Sequence, residues 1–232
     1  MAQQQRRRQR RGATAAVAAA ALVGAAQGSA LTPPQSVLSP ATLAQWIPAN
    51  PDFLPSVPCV QVVALQDSTT LPGLNDELKT LGFAARTQEL VSAPSPQGKA
   101  AGCFDSHVKV WNDALNRGCS SALILEEDAR FEGEVLQSGF AKVESFITGG
   151  GLNHTDIILL GWNGNYYTGG HHPPQNKTRV AKTGYECIYD IQHWFETHAY
   201  VISAAAMQRL KDITYDGRPI DDYLSECAPP LI

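Results

Sequence analysis

The chain has 232 residues, a net charge of −4, a pI near 5.8 and only 17% charged residues. No basic stripe crosses its body, which argues against a nucleic-acid partner. Roughly the first 50 residues lack the pattern of a folded domain, and the remaining ~180 are enough for one domain with a sizeable core.

Arg6 to Arg11 form a basic block, an alanine-rich apolar run follows from Gly12 to Ala26, and Gly28-Ser-Ala30 offers small residues for a signal peptidase. Residues 1–31 therefore read as a secretory signal peptide or an uncleaved signal anchor, the one route by which the chain would touch a membrane. Alanine is barely hydrophobic and the run is short for a span. No acid precedes Asp52, so a plastid transit peptide is a weaker alternative. Residues 32–58 carry seven prolines, from Pro33 to Pro58, and read as an extended stem. Two sequons, Asn153-His-Thr155 and Asn176-Lys-Thr178, fit glycosylation in the endoplasmic reticulum or Golgi lumen, or of a secreted protein. Of five cysteines at most four can pair within the chain, and no Cys-x-x-Cys spacing exists. Cys103 reads as a small buried hydrophobe.

In the body, residues 59–232, Val60 to Leu65 predicts a first strand. Leu74, Leu78 and Leu81 stripe a helix closed by Gly82, and Phe83 to Thr87 suggests a second strand, parallel to the first. Asp67, after the first strand, is a candidate ribose or uridine contact, though an ordinary turn residue is the simpler reading. Pro94 to Gly98 is a loop. Phe104, Val108, Trp111 and Leu115 recur with helical period, with Asp105 or Ser106 as the expected cap and Gly118 as the stop.

Ala122 to Leu125 is a wholly apolar run, as in a strand covered on both faces, and it ends abruptly at Glu126, Glu127 and Asp128. Acidic triplets after a strand are ordinarily solvated. At the carboxyl end of a buried strand, however, they lie where open α/β sheets bind ligands, and a hard divalent cation relieves their repulsion.

Leu136, Phe140, Val143 and Ile147 stripe another helix, ended by Gly149 to Gly151, and Asp156 to Gly161 is a further buried strand. Trp162 to Tyr189 shows no period. Its aromatic, His and Asn residues suit a sugar-binding loop or an ordinary surface loop. Thr197 to Ser203 predicts a strand, with Ser203 capping a helix to Ile213. Pro219 to Leu224 places Asp221 and Asp222 in a first helical turn, where negative charge is favoured. Strands alternating with helices make an α/β sheet.

Four ordered segments resemble glycosyltransferase family 25, which contains lipooligosaccharide glycosyltransferases and procollagen galactosyltransferases. They are Gly102-Cys-Phe-Asp-Ser-His107 with Trp111 and Leu125-Glu-Glu-Asp128, then Asp156-Ile-Ile-Leu-Leu-Gly161, Thr197-His-Ala-Tyr-Val-Ile-Ser203, and Pro219-Ile-Asp-Asp-Tyr-Leu224. The family pattern has an apolar residue at Asp105, an aspartate at Glu127, and a stronger motif than Ala64 to Ser68 after the first strand.

The resemblance implies a GT-A-like, Rossmann-type nucleotide-sugar fold with a mostly parallel sheet. It implies transfer of a hexose, galactose from its uridine diphosphate donor, with inversion, to a hydroxyl of a glycan or glycoprotein. In that frame Glu126 and Asp128 hold Mn²⁺ or Mg²⁺. Asp221 is the general base, with Asp222 as second choice. Ser106, His107, Glu127 and Asp67 contact the donor, the first two through the field of a helix N-terminus. The family continues beyond the last of these segments, so either the protein is short or the sequence is a C-terminally truncated fragment. An inactive sugar- or partner-binding member and a secreted metal-dependent hydrolase are the alternatives.

Overall fold

The computed structural model describes residues 17–20, 53–92, 94–131, 133–160, 179–182, 188–192 and 197–227. The strands are β1 Val17–Ala20, β2 Cys59–Leu65, β3 Thr87–Ser92, β4 Ser121–Glu126, β5 Ile157–Leu159, β6 Arg179–Lys182, β7 Ile188–Gln192 and β8 Ala199–Ser203. The helices are α1 Leu71–Thr80, α2 Lys99–Asn116, α3 Gly133–Thr148, α4 Ala204–Leu210 and α5 Ile220–Cys227.

One sheet holds all the strands in the order β3-β2-β4-β8-β5-β1-β7-β6. β3, β2 and β4 are parallel, while β8 lies antiparallel between β4 and β5. β5 therefore runs with β4, and this part of the sheet is mostly parallel, as in a GT-A-like Rossmann-type domain. β1, within the stretch read as a leader, pairs with β5 and β7.

Strand alternation divides the core into two layers. Val60, Val62, Leu123, Leu125 and Val201 face α1 and α3, where Leu74, Leu78, Phe140 and Val143 are buried. Cys59, Val63, Ala122, Ile124, Tyr200 and Ile202 face α2, α4 and α5, against Phe104, Val110, Trp111 and Ala114. A Cys59–Cys119 disulfide ties the start of β2 to the exit of α2.

The predicted glycine stops after α1 and α2 and the Ser203 cap hold. Gly82 has φ 78°, its N–H bonds Lys79 O, and the Phe83 N–H bonds Leu78 O. This reciprocal pattern needs a residue that tolerates positive φ. Gly118 repeats it with Leu115 and Ala114. Ser203 Oγ accepts the Ala206 N–H at 3.1 Å, the expected cap of α4, which stops at Leu210 rather than Ile213.

Four expectations are corrected. The second strand begins at Thr87, because Ala84–Arg86 is a 3₁₀ turn whose Arg86 guanidinium donates to the carbonyls of Leu54 and Val57 at 2.7 and 2.6 Å. The end of the predicted stem thus belongs to the domain: Leu54 and Val57 are 1% exposed in the first core layer. Helix α2 starts at Lys99 after Gly98, not at Asp105 or Ser106. Ser106 instead bonds its own helix at Gly102 O, 2.7 Å away. Finally, the stretch predicted as a loop up to Tyr189 contains β6 and β7, an antiparallel pair. Trp162, Tyr166, Tyr167, His171, His172, Tyr185 and Asn176 lie outside the described residues.

Candidate active site

The carboxyl ends of β2 and β4 share one edge of the sheet, and the antiparallel β8 enters there. Tyr200 stands opposite Ile124 and Ala199 opposite Leu125, so the next cross-strand neighbours are His198 and Glu126. The Glu126 N–H donates to His198 O at 2.9 Å, which confirms that register. Both side chains therefore project from the face covered by α2 and α5. An open cleft of about 220 Å³ forms there, lined by Ala100, Cys103, Glu126, Thr197, His198, Pro219, Ile220 and Asp221.

Beneath the cleft runs a buried polar chain. The Trp111 Nε1–H donates to the Tyr200 hydroxyl at 2.9 Å, and that oxygen lies 2.8 Å from His107 Nδ1. The indole can only donate, so the phenolic oxygen accepts from Trp111 and shares its second hydrogen bond with His107 Nδ1. His107 Nε2 is buried and points at Glu126 Oε1 from 3.4 Å, too far to satisfy the nitrogen fully. Thr197 Oγ1 donates to the same carboxylate oxygen.

Glu126 thus has an inner oxygen held by His107 and Thr197 and an outer one, Oε2, which lies 3.7 Å from His198 Nδ1. His198 Nδ1 is also 3.0 Å from Asp128 Oδ1. Burial pushes the Glu126 carboxyl up, but His107, Thr197 and His198 together outweigh it and hold the group below the usual range. The His198 hydrogen bond likewise holds Asp128 low, against partial burial. Glu127 is raised, by burial first and then by Asp128 and Glu126. Burial, followed by the charges of Glu126, Asp221, Glu127 and Asp128, raises the Cys103 thiol to about 12. That residue stays neutral.

Two donor sets lie close enough to hold a cation, each with its ligand atoms within 4.8 Å: Cys103, His107 and Glu126, and Glu126, Asp128 and His198. The first would need a thiolate that its acidic surroundings oppose. The second offers two ionised carboxylates and an imidazole, and among the described residues no lysine or arginine lines the cleft. These residues fit a divalent ion.

The structure brings Glu126, Asp128 and Asp221 to one place. Asp221 lines the cleft from the first turn of α5, and its Oδ1 accepts the Asp222 N–H at 2.9 Å. Asp222 adjoins the cleft without lining it. Glu127 is half-buried, with its N–H on Val63 O, and Asp67 is exposed in the turn after β2, at the same sheet edge. Ser106 and His107 sit about two turns inside α2 and are 1% and 0% exposed, so the field of a helix N-terminus does not act on a donor through them. Ser106 bonds Ser92, 2.7 Å away, and His107 reaches the site only through Glu126. Thr197 and His198 were missed. The alternation Thr-His-Ala-Tyr was a usable signal, since it puts His198 on the face of Tyr200, but only once β8 is known to be antiparallel to β4.

The family model described as glycosyltransferase family 25 (LPS biosynthesis protein) matches residues 97–224, more than half of the chain, and all four motifs fall within it. The chain belongs to glycosyltransferase family 25. Relatives include procollagen galactosyltransferase 1 of Danio rerio, 25% identical over 142 residues, which are 53% of this chain and 21% of that protein. Procollagen galactosyltransferase 2 of Homo sapiens is 26% identical over 135 residues, 57% of this chain and 20% of that protein. The match thus spans about a fifth of the length of these relatives. Within the family 25 match lie every residue that lines the cleft and the whole Trp111–Tyr200–His107 chain beneath it.

Proposed function

We propose that the chain is a metal-dependent inverting glycosyltransferase that moves galactose from uridine diphosphate galactose to a hydroxyl of a glycan or glycoprotein. The observation that carries this reading is that Glu126 and Asp221 line one cleft, with Asp128 beside it on His198. Family membership and the names of the relatives support the donor and acceptor classes.

Glu126 and Asp128 would hold Mn²⁺ or Mg²⁺, which supplies Lewis acidity toward the leaving diphosphate. Asp221 takes the proton of the acceptor hydroxyl as its oxygen bonds the anomeric carbon. The bond from that carbon to the diphosphate breaks, and uridine diphosphate leaves from the opposite face. Asp222 holds Asp221 through its backbone N–H. Glu127 and Asp67, on the same sheet edge, are donor contacts in this reading.

The Cys59–Cys119 disulfide and the exposed sequon Asn153 suit an oxidising secretory lumen.

The test is a donor screen. The purified chain is mixed with Mn²⁺ and each common nucleotide sugar, and released nucleoside diphosphate is followed. The expected result is release from uridine diphosphate galactose, lost with chelator and in Asp128→Asn. Transfer retained by a folded Asp128→Asn variant removes the metal assignment. No release from any donor by the folded wild type favours an inactive binding member of the family.

A further inference from the structure

The acids at the end of β4 are accompanied by a nitrogen that the family motif does not supply, since His198 stands at a position the family pattern leaves open. Its Nδ1 is 3.0 Å from Asp128 Oδ1 and 3.7 Å from Glu126 Oε2. Adjacent ligands around an octahedral ion with bonds of about 2.1 Å are separated by about 3 Å, the spacing that His198 Nδ1 and Asp128 Oδ1 already have, and ligand atoms of all three residues lie within 4.8 Å of one another.

A second observation sets this cluster apart from an ordinary acidic tip. His107 Nε2 is fully buried, makes no hydrogen bond among the described residues and lies 3.4 Å from Glu126 Oε1. It is held there by the Tyr200 hydroxyl, as outer-shell groups hold a metal-binding carboxylate. With Thr197 on the same oxygen, Glu126 is clamped inward by Oε1, and Oε2 is turned toward His198.

We propose that His198 Nδ1 is the third protein donor of the cation site, beside Glu126 Oε2 and Asp128 Oδ1, and that this nitrogen selects a first-row transition ion over Mg²⁺. The inference rests on the metal-dependent reading above and adds to it the class of ion. Imidazole binds borderline transition ions well, whereas Mg²⁺ takes oxygen donors and keeps its waters. In the ion-free protein His198 Nδ1 pairs with Asp128, and the side chain is 41% exposed.

The experiment measures binding of Co²⁺, Mn²⁺ and Mg²⁺, each as the metal alone, by calorimetry on the full chain, with and without uridine diphosphate. The visible spectrum of Co²⁺ reports a nitrogen ligand independently of any activity. The wild type should bind Co²⁺ more tightly than Mn²⁺, and Mn²⁺ more tightly than Mg²⁺. His198→Ala should weaken Co²⁺ and Mn²⁺ by at least about tenfold while leaving Mg²⁺ within about threefold. His198→Gln, which offers an amide oxygen, should keep Mg²⁺ binding and lack the Co²⁺ preference. Asp128→Asn should weaken all three ions. If His198→Ala leaves the order of ions and the Co²⁺ spectrum unchanged while Asp128→Asn still weakens binding, His198 is not a ligand and only this proposal falls. If no ion binds the wild type in either condition, the metal-dependent reading falls with it.

Discussion

The two faces of the sheet are built from the same kinds of strand residue, yet they do different work. Toward α1 and α3 the core is aliphatic and aromatic, centred on Phe140, whose ring lies 5.4 Å from Phe53 and 5.9 Å from both Phe83 and Phe131. Toward α2 and α5 the layer is equally buried but carries the Trp111–Tyr200–His107 chain, and Gln61, bonded to Asp113 at 2.8 Å. One layer gains stability by excluding water. The other gives up part of that gain to aim one carboxylate, since each buried polar atom there must find a partner. The cleft opens only on the second face. Variants in the two layers should therefore separate stability from chemistry.

The largest effect on stability belongs to the apolar layer. Phe140→Ala should cost about 3–5 kcal/mol in denaturant unfolding, through lost burial and the cavity left behind. The remaining folded molecules should keep the wild-type donor affinity and cleavage rate. A variant that is destabilised as expected but also catalytically altered would show that the layers are coupled through the sheet. Reducing the Cys59–Cys119 disulfide should come next, at about 2–4 kcal/mol, because it closes a loop with a sequence separation of 60. Melting curves with and without reductant read this directly.

The polar layer should respond in the opposite sense. Tyr200→Phe keeps the ring and removes one oxygen, which leaves the Trp111 N–H and His107 Nδ1 without their shared partner. The expected stability cost is about 1–3 kcal/mol. The His107 ring then loses the contact that fixes it 3.4 Å from Glu126 Oε1. Divalent-ion affinity should fall by about tenfold or more. His107→Leu should lose at least as much, and His107→Gln, which can still present an N–H, should recover part of it. Equal ion affinity in His107→Leu and His107→Gln would reduce His107 to a packing residue.

The same contrast explains what the sequence disclosed. Elements with one dominant local signal were legible: the apolar run of β4, the Leu74–Leu78–Leu81 stripe, the glycines after α1 and α2, and the Ser203 cap. Motif order also singled out Glu126, Asp128 and Asp221, whose roles stand as part of the proposal. What depended on tertiary pairing was not legible. The start of α2 was misplaced because Asp105 and Ser106 look like caps, while the helix opens after Gly98 on Lys99 and two ordinary alanines. The second strand was misplaced because Arg86 spends its guanidinium on distant carbonyls. His198 was overlooked because its relation to Glu126 exists only in the antiparallel register of β8 on β4. His107 was named for the wrong reason, since its buried depth follows from where α2 begins.

The smallest predicted effect contrasts a buried carboxyl in each layer. Glu77, on α1, is 7% exposed, and its Oε2 accepts the Phe131 N–H at 3.2 Å. Burial raises its pKa above the ordinary 4.5, and the Phe131 hydrogen bond and the Arg130 charge offset only part of that. The native state therefore holds this proton to a higher pH than the unfolded chain does. Between 4.5 and the raised native value it binds more protons than the unfolded state, so this group's contribution declines as pH rises through that window. Glu126 has the opposite sign: its depressed pKa contributes stability above 4.5 that is lost as pH falls through the native value. Glu77→Gln, whose amide oxygen can still accept the Phe131 N–H, should raise the melting temperature at pH 7 and change it little at pH 4. A lower melting temperature at pH 7 would mean that the Phe131 and Arg130 contacts outweigh burial, and that the apolar layer also holds its carboxylate by its partners.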